Sequence, residues 1–426
     1  MKHSLEGLPV ELVGHIVTLL DCRDILSLRL TSRTLSSKLS QNFLARFFAY
    51  KHVELARGPL VNMADMTSQG RPGRLLQHCT IIGVAGNDMS NTPNFDEDVR
   101  LLTKAFMNLK QHSPSARLAS LRLSVIVRSQ HSDDGTLEPN AGPSRRDIWA
   151  IALRTFDVAI TALQKSQLPV DEHLDMFGGI LGCSLAFNTL LSLNRRFAST
   201  PIFSSLKKLT VSLSSPCIDQ KERTPDAAVI IPDRSSQMMH GTLLLQGLLE
   251  MLGLMPGLEG LDIHWYNIGI EESTTDAGPT IHLNESRHSI LACLETCNLR
   301  GLYVNESDLL RFIKAVHPEA LIITDVCLVL GTWTSIFQYL TSSGSPVTYY
   351  HLDDVREGHN LVHFDVPGES KFPYLGVTMG PSTLTRRINE VKDMIRFGMT
   401  SRRPLGSGQR MRWRNSKILE FGPSKD

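Results

Sequence analysis

The sequence predicts a mixed α+β / α/β chain, in which a small N-terminal unit of three helices precedes an irregular β/α solenoid of stacked strand–helix units. Three observations carry this prediction. The first fifty residues hold three apolar stretches at helical spacing. Further on, a short phrase returns several times: Leu, two residues, Leu, one residue, then an aliphatic. Between its copies lie longer segments of helical period. A strand–helix unit with one apolar edge can bury that edge only against the next unit, and a stack of such units satisfies all of them. A closed α/β domain is the other architecture this pattern allows.

The N-terminal unit spans residues 1–50. Leu8, Leu12, Ile16, Val17, Leu19 and Leu20 follow the spacing of one helix, and Ile25, Leu26, Leu28 and Leu30 that of a second. Pro9 sits in the first turn, where a helix tolerates proline, and Glu11 suits the positive end of the dipole. Asp21 and Asp24 separate the two runs and can cap the second helix. A third helix, about Thr31 to Tyr50, would bury Leu35, Leu39, Phe43, Leu44, Phe47 and Phe48. Three short helices make a small core. The first two carry more leucine and isoleucine than that core needs, which points to a docking face for another protein.

The residues Leu8-Pro9, Glu11-Leu12, Ile16, Leu20, Asp24-Ile25-Leu26, Leu28 and Ser32-Arg33 together resemble an F-box, without a gap. Leu35 stands where many F-boxes carry a tryptophan. The resemblance implies binding to the Skp adaptor of an SCF-type (Skp–cullin–F-box) ubiquitin ligase, with the cullin as a further partner. It implies Leu8, Pro9, Leu12, Ile16, Leu20, Ile25 and Leu28 as the adaptor-binding residues. The competing reading is a helical cap on the domain behind it.

Residues 51–75 contain Gly58-Pro59 and Gly70-Arg71-Pro72-Gly73 and read as a linker. Residues 76–398 hold the strand–helix units. Cys79 to Val84 reads as a strand and Asp96 to Gln111 as a helix. The phrase first occurs at Leu118-Leu121-Leu123. It returns at Leu206-Leu209-Val211, Leu258-Leu261-Ile263 and Leu299-Leu302-Val304, more loosely at Leu321-Ile323 with Val326 and Leu328, and Val347 to Leu352 adds a strand. Helical patterns fill Arg145–Lys165, Leu243–Leu254, Ser289–Cys297, Ser307–Val316 and Trp333–Leu340. Residues 132–144, 215–241 and 271–278 read as loops. The tail at 399–426 is basic and is expected to be disordered, with a nuclear-import signal or a weak nucleic-acid contact as alternatives.

The phrase resembles the strand segment of leucine-rich repeats, although its copies are irregularly spaced and Ser307 stands where the consensus asparagine would follow Leu299. An F-box followed by irregular leucine-rich units is similar to the arrangement of F-box proteins of fungi. This implies a substrate-recognition adaptor whose solenoid holds a protein substrate. A leucine-rich scaffold without a ligase role is the alternative.

Composition adds limits. A net charge of +1 gives no global field toward nucleic acid. The seven cysteines form no C-x-x-C pair, which fits reduced thiols in the cytoplasm or nucleus. No apolar run is long enough for a membrane span. No catalytic constellation, cofactor motif or metal motif stands out, so neither enzyme activity nor a cofactor is expected. His359 and His363 read as surface histidines, Cys293 and Cys297 as packing residues on one helix face, and Asp353-Asp354 as a solvated turn.

Overall fold

The structure, a computed structural model, describes residues 5–85, 94–127, 145–180, 183–197, 200–214, 234–266, 293–368 and 380–400. The expected loops at 132–144 and 271–278 and the tail beyond residue 400 lie outside them.

Three helices open the chain: α1 (Val10–Thr18), α2 (Cys22–Thr31) and α3 (Arg33–Phe48). Asp21 caps α2, its carboxylate accepting from the Asp24 N–H at 2.7 Å. Ser32 caps α3 by accepting from the Thr34 N–H at 3.1 Å. Each cap satisfies a backbone donor that the helix itself cannot pair. Val13, Val17, Ile25, Leu35 and Leu39 form the buried core of this unit, with Leu8, Leu20, Leu28 and Phe48 packed against it. The Lys38 ammonium donates to the carbonyls of Glu6 and Leu8, both at 2.7 Å, and ties the leading segment to α3.

Helix α3 leads directly into strand β1 (Tyr50–Glu54), which is followed by α4 (Arg57–Met66). Residues 51–75 are therefore not a linker. Pro59 falls in the first turn of α4, where its missing N–H costs no hydrogen bond. Leu60, Met63 and Ala64 then recur at helical spacing and are buried. The Gly-Pro pair marks a helix start here.

Among the described residues the body is built on an eleven-stranded sheet. Its further strands are β2 (His78–Ala85), β3 (Leu118–Val127), β4 (Val170–Met176), the short β5 (Leu185–Ala186), β6 (Lys208–Ser214) and β7 (Gly260–Trp265). In the same sheet follow β8 (Thr296–Arg300), β10 (Ala320–Thr324), β12 (Tyr349–Asp353) and β15 (Thr383–Arg387). Spatial order follows chain order throughout, with β5 stepping aside to pair β6. All pairs are parallel except β12 with β15. Between the strands run α5 (Phe95–His112), α6 (Arg145–Ser166), α7 (Phe187–Phe197), α8 (Arg234–Leu252), α9 (Glu306–Val316) and α10 (Thr334–Thr341). Right-handed crossovers between strands laid down in one direction place their helices on one face of the sheet.

A second sheet of five strands has the order β16 (Phe397–Thr400), β14 (Asn360–Phe364), β13 (Arg356–Glu357), β11 (Cys327–Leu330), β9 (Tyr303–Asn305). Strands β8, β10 and β12 of the large sheet each turn a corner into β9, β11 and β13. The corner residues Gly301, Asp325 and Asp354 all have positive φ, at 73°, 52° and 51°. Asp354 is not in a solvated turn: it is buried and accepts from the Ser382 hydroxyl at 2.7 Å.

Register shows what the repeated phrase encodes. Val53, Ile81, Leu123, Met176, Val211, Ile263, Leu299, Ile323, Leu352 and Leu384 stand in one row across the sheet. All are buried. Leu299 belongs to this row, so Leu299-Leu302-Val304 is not a copy of the phrase; Gly301 breaks it at the corner. The copy in register is Leu294-Cys297-Leu299, and Leu76-Cys79-Ile81 matches it. Cysteine packs as a small apolar residue in both. Cys297 therefore lies on a strand and is buried, whereas Cys293 is exposed. Residues 234–241, expected in a loop, open α8. His363 lies in β14, buried, and shares a hydrogen bond with the Gly380 carbonyl at 2.9 Å, whereas His359 is exposed in the preceding turn.

Candidate functional site

Two surfaces remain after the cores are filled. The first is on the three helices. In α1, Val13 and Val17 are four apart and point into the core, which turns Leu12 outward, while Val10 is exposed as the first residue of the helix. Leu12 is 49% exposed, and Leu19 and Leu30, at the ends of α1 and α2, are 86% and 88% exposed. Leu5 and Val10 add to the apolar surface.

The residues expected to bind the adaptor divide between inside and outside. Pro9 and Leu12 are exposed, while Leu8, Ile16, Leu20 and Leu28 are half-buried. Ile25 is fully buried among Val13, Val17, Leu35 and Leu39, so its side chain holds the helices together from within. Leu5, Val10, Leu19 and Leu30 are exposed as well, although the sequence reading did not name them for docking. Splitting the apolar residues of α1 into a Val13/Val17 face and its opposite sets Leu12 and Leu19 outward.

Residues 5–44 match the family model of the F-box domain. The match covers the three helices almost to the end of α3 and supports reading the chain as an F-box protein. F-box domains generally bind the Skp adaptor in SCF complexes, and the domain suggests a substrate-receptor role in general. No curated protein matches the chain.

The second surface is the outward face of the large sheet. Strand residues alternate between faces, and the row beside the aliphatic one reads Thr80, Arg122, Asp175, Thr210, Asp262, Asn298. The flanking rows add His173 and Lys208 on one side, and His264 and Arg300 on the other. Arg122 meets Asp175 at 3.2 Å and donates to the Gly178 carbonyl at 3.1 Å. The Gly178 N–H in turn donates to Asp175 at 2.7 Å. A side chain at position 178 would collide with Thr210 and with that carboxylate, which is why glycine stands there. His173 shares a hydrogen bond with Thr210 at 2.9 Å, and Arg300 donates to Asn298 at 3.2 Å.

Burial sets the charges of this face. It pushes Asp175 up to about 6 against the opposing pull of Arg122 and the Gly178 N–H. It also raises Asp262, with Arg300 and Lys208 opposing. The imidazoles move the other way: burial, helped by nearby cations, lowers His173 to about 4 and His264 to about 3. Both are neutral at physiological pH.

Among the described residues no group of three or more His, Cys, Asp or Glu is placed to hold a metal ion. No described helix is long and apolar enough to cross a membrane. The polar row escaped the sequence reading because its residue types vary from strand to strand; only register collects them.

Proposed function

We propose that this chain is a non-enzymatic substrate receptor of a Skp–cullin–F-box ubiquitin ligase, with α1 and α2 docking on the Skp adaptor and the sheet body acting as a leucine-rich-repeat-like β/α solenoid that holds a protein substrate. The observation that carries the reading is the F-box match on helices that leave Leu12, Leu19 and Leu30 in solvent. Burying one leucine-sized side chain contributes roughly 1.5–3 kcal/mol, so a few such residues offset much of the cost of association. Three features support the solenoid. The strands follow chain order, one aliphatic row runs across them, and successive units turn the same left-handed corner at Gly301, Asp325 and Asp354. The polar face is then the surface left for a substrate. The receptor positions its client and leaves ubiquitin transfer to the other subunits, which needs no catalytic residue of its own.

The test is capture of the Skp adaptor and the cullin by the full chain, beside a Leu12→Ala/Leu19→Ala/Leu30→Ala version. Loss of both partners from the variant supports the reading. Failure of the wild-type chain to capture either overturns it.

A further inference from the structure

We propose that the outward sheet face centred on Arg122, Lys208 and Arg300 takes an extended, carboxylate-rich segment of a partner protein. This rests on the reading of that face as the receptor surface and adds the chemistry of what it receives.

The argument begins with which charges reach solvent. The Arg122 side chain is 50% exposed, whereas that of its partner Asp175 is 11% exposed. Lys208 is exposed and Arg300 half-exposed. Asp175 is drawn down by two partners, Arg122 and the Gly178 N–H. In this pair the cation therefore stands above its carboxylate, while Arg300 donates to the Asn298 amide instead. Asp175 occupies part of the Arg122 guanidinium as an internal counterpart of the carboxylate a partner would bring, and a planar guanidinium has donors to spare for a second one.

Spacing then selects the form of the ligand. Arg122 is on β3, Lys208 on β6 and Arg300 on β8, so four strand steps separate the outer two. At about 4.8 Å per step this is roughly 19 Å across the sheet. Lys208 and Arg300 lie on opposite sides of the Arg122 row, each two residues or about 6.6 Å off it along the strands, so a chain that meets all three cations follows a bent path of roughly 28 Å, about eight extended residues. Asp175 and Asp262 interleaved among them disfavour a continuous polyanion such as nucleic acid, whose phosphates cannot skip them.

Proton uptake supplies a signature specific to this geometry. The charged and titratable groups facing Asp175 are Arg122 on β3, His173 on its own strand, Lys208 on β6 and Asp262 on β7, with Arg300 beyond. His173 stays neutral down to about 4. Between pH 7.5 and 6 the change on this face therefore belongs to the carboxylates, chiefly Asp175, and protonation releases Arg122 to the ligand.

The experiment is fluorescence anisotropy of a labelled octamer of glutamate with the full chain, with octalysine and a single-stranded oligonucleotide as comparisons. We expect the glutamate octamer to bind, to weaken at least tenfold in Arg122→Gln/Lys208→Gln/Arg300→Gln, and to tighten severalfold from pH 7.5 to 6. The Asp175→Asn chain should bind more tightly at pH 7.5 and lose that pH response, so the outcome does not hang on the triple variant remaining folded. Equal binding by the triple variant, no pH response, or preferential binding of the oligonucleotide overturns the proposal. Adaptor capture by the same wild-type preparation separates the two readings. Capture without glutamate binding removes the ligand chemistry alone; glutamate binding without capture removes the receptor reading.

Discussion

The helical unit encloses Val13, Val17, Ile25, Leu35 and Leu39 and leaves Leu12, Leu19 and Leu30 in solvent. The sheet body encloses an unbroken aliphatic row and leaves Arg122, Lys208 and Arg300 outside. The first region thus keeps exposed leucines beside a very small core, while the second encloses a large core and presents charge on its sheet face, although Leu330, Ile388 and Met394 also reach solvent in that region. A core as small as the first is marginal alone, so the proposed docking there would also stabilise the fold. The body has a far larger core of its own.

Breaking each core tests that contrast most severely. Ile323 belongs to the aliphatic row and is fully buried. Ile323→Ala should cost about 2–5 kcal/mol, the range for deleting a buried aliphatic side chain, and lower the cooperative melt of the body. Ile25→Ala removes the same atoms from a much smaller core. Its expected result is loss of amide-exchange protection in α1–α3 with protection in β2–β8 retained. Equal loss of protection in both regions would mean that the two cores unfold as one, and the comparison would fail.

The polar face offers a smaller effect of opposite sign. Asp175 has its ordinary carboxylate value in the unfolded chain and one raised to about 6 in the fold. Between those values the native state holds a proton that the unfolded chain has released, so stability falls as pH rises through the window, and the loss is complete above it. Asp175→Asn removes that loss while an amide oxygen can still accept from Gly178. The variant should be more stable than the wild type by about 1–3 kcal/mol at pH 7.5, given about 1.4 kcal/mol per pKa unit, and no more stable at pH 3.5. Chemical denaturation at the two pH values measures this. His264 works the other way. Its lowered value means that the unfolded chain takes up the proton first below about 6.5, so its contribution to stability declines as pH falls toward about 3. Equal stability of Asp175→Asn and wild type at both pH values would show that burial of this carboxylate costs the fold nothing.

What the sequence disclosed follows the same division. Helix periodicity and the caps at Asp21 and Ser32 are local, so the three helices could be read within a few residues of their ends. The phrase was legible wherever leucine filled it, as at Leu118-Leu121-Leu123. It was hidden where cysteine or tyrosine took the middle place, in Leu76-Cys79-Ile81, Leu294-Cys297-Leu299 and Val347-Tyr350-Leu352. Strand β4 went unseen because Asp171, Glu172, His173 and Asp175 dominate it. Those residues face outward or pair with neighbours, a fact that depends on strands far away in the chain. Ile25 shows what spacing leaves open: it fits a docking helix, and only the packed unit reveals that its side chain turns inward.

The mildest change separates docking from packing. Leu19 and Leu30 are 86% and 88% exposed, so Leu19→Ala/Leu30→Ala removes almost no internal contact. Its effect on stability should stay within about 0.5 kcal/mol per site, as for surface positions without special features, and amide protection in α1–α3 should match the wild type. Capture of the Skp adaptor should nonetheless weaken, because these side chains lose the burial they would gain at the interface. Ile25→Ala should weaken capture as well, but only together with lost protection in the helices. Two variants with the same binding defect and opposite exchange behaviour would place Leu19 and Leu30 at the contact and Ile25 behind it. Undiminished capture by Leu19→Ala/Leu30→Ala would move the contact to Leu5, Val10 and Leu12, the remaining exposed apolar residues at the start of the unit.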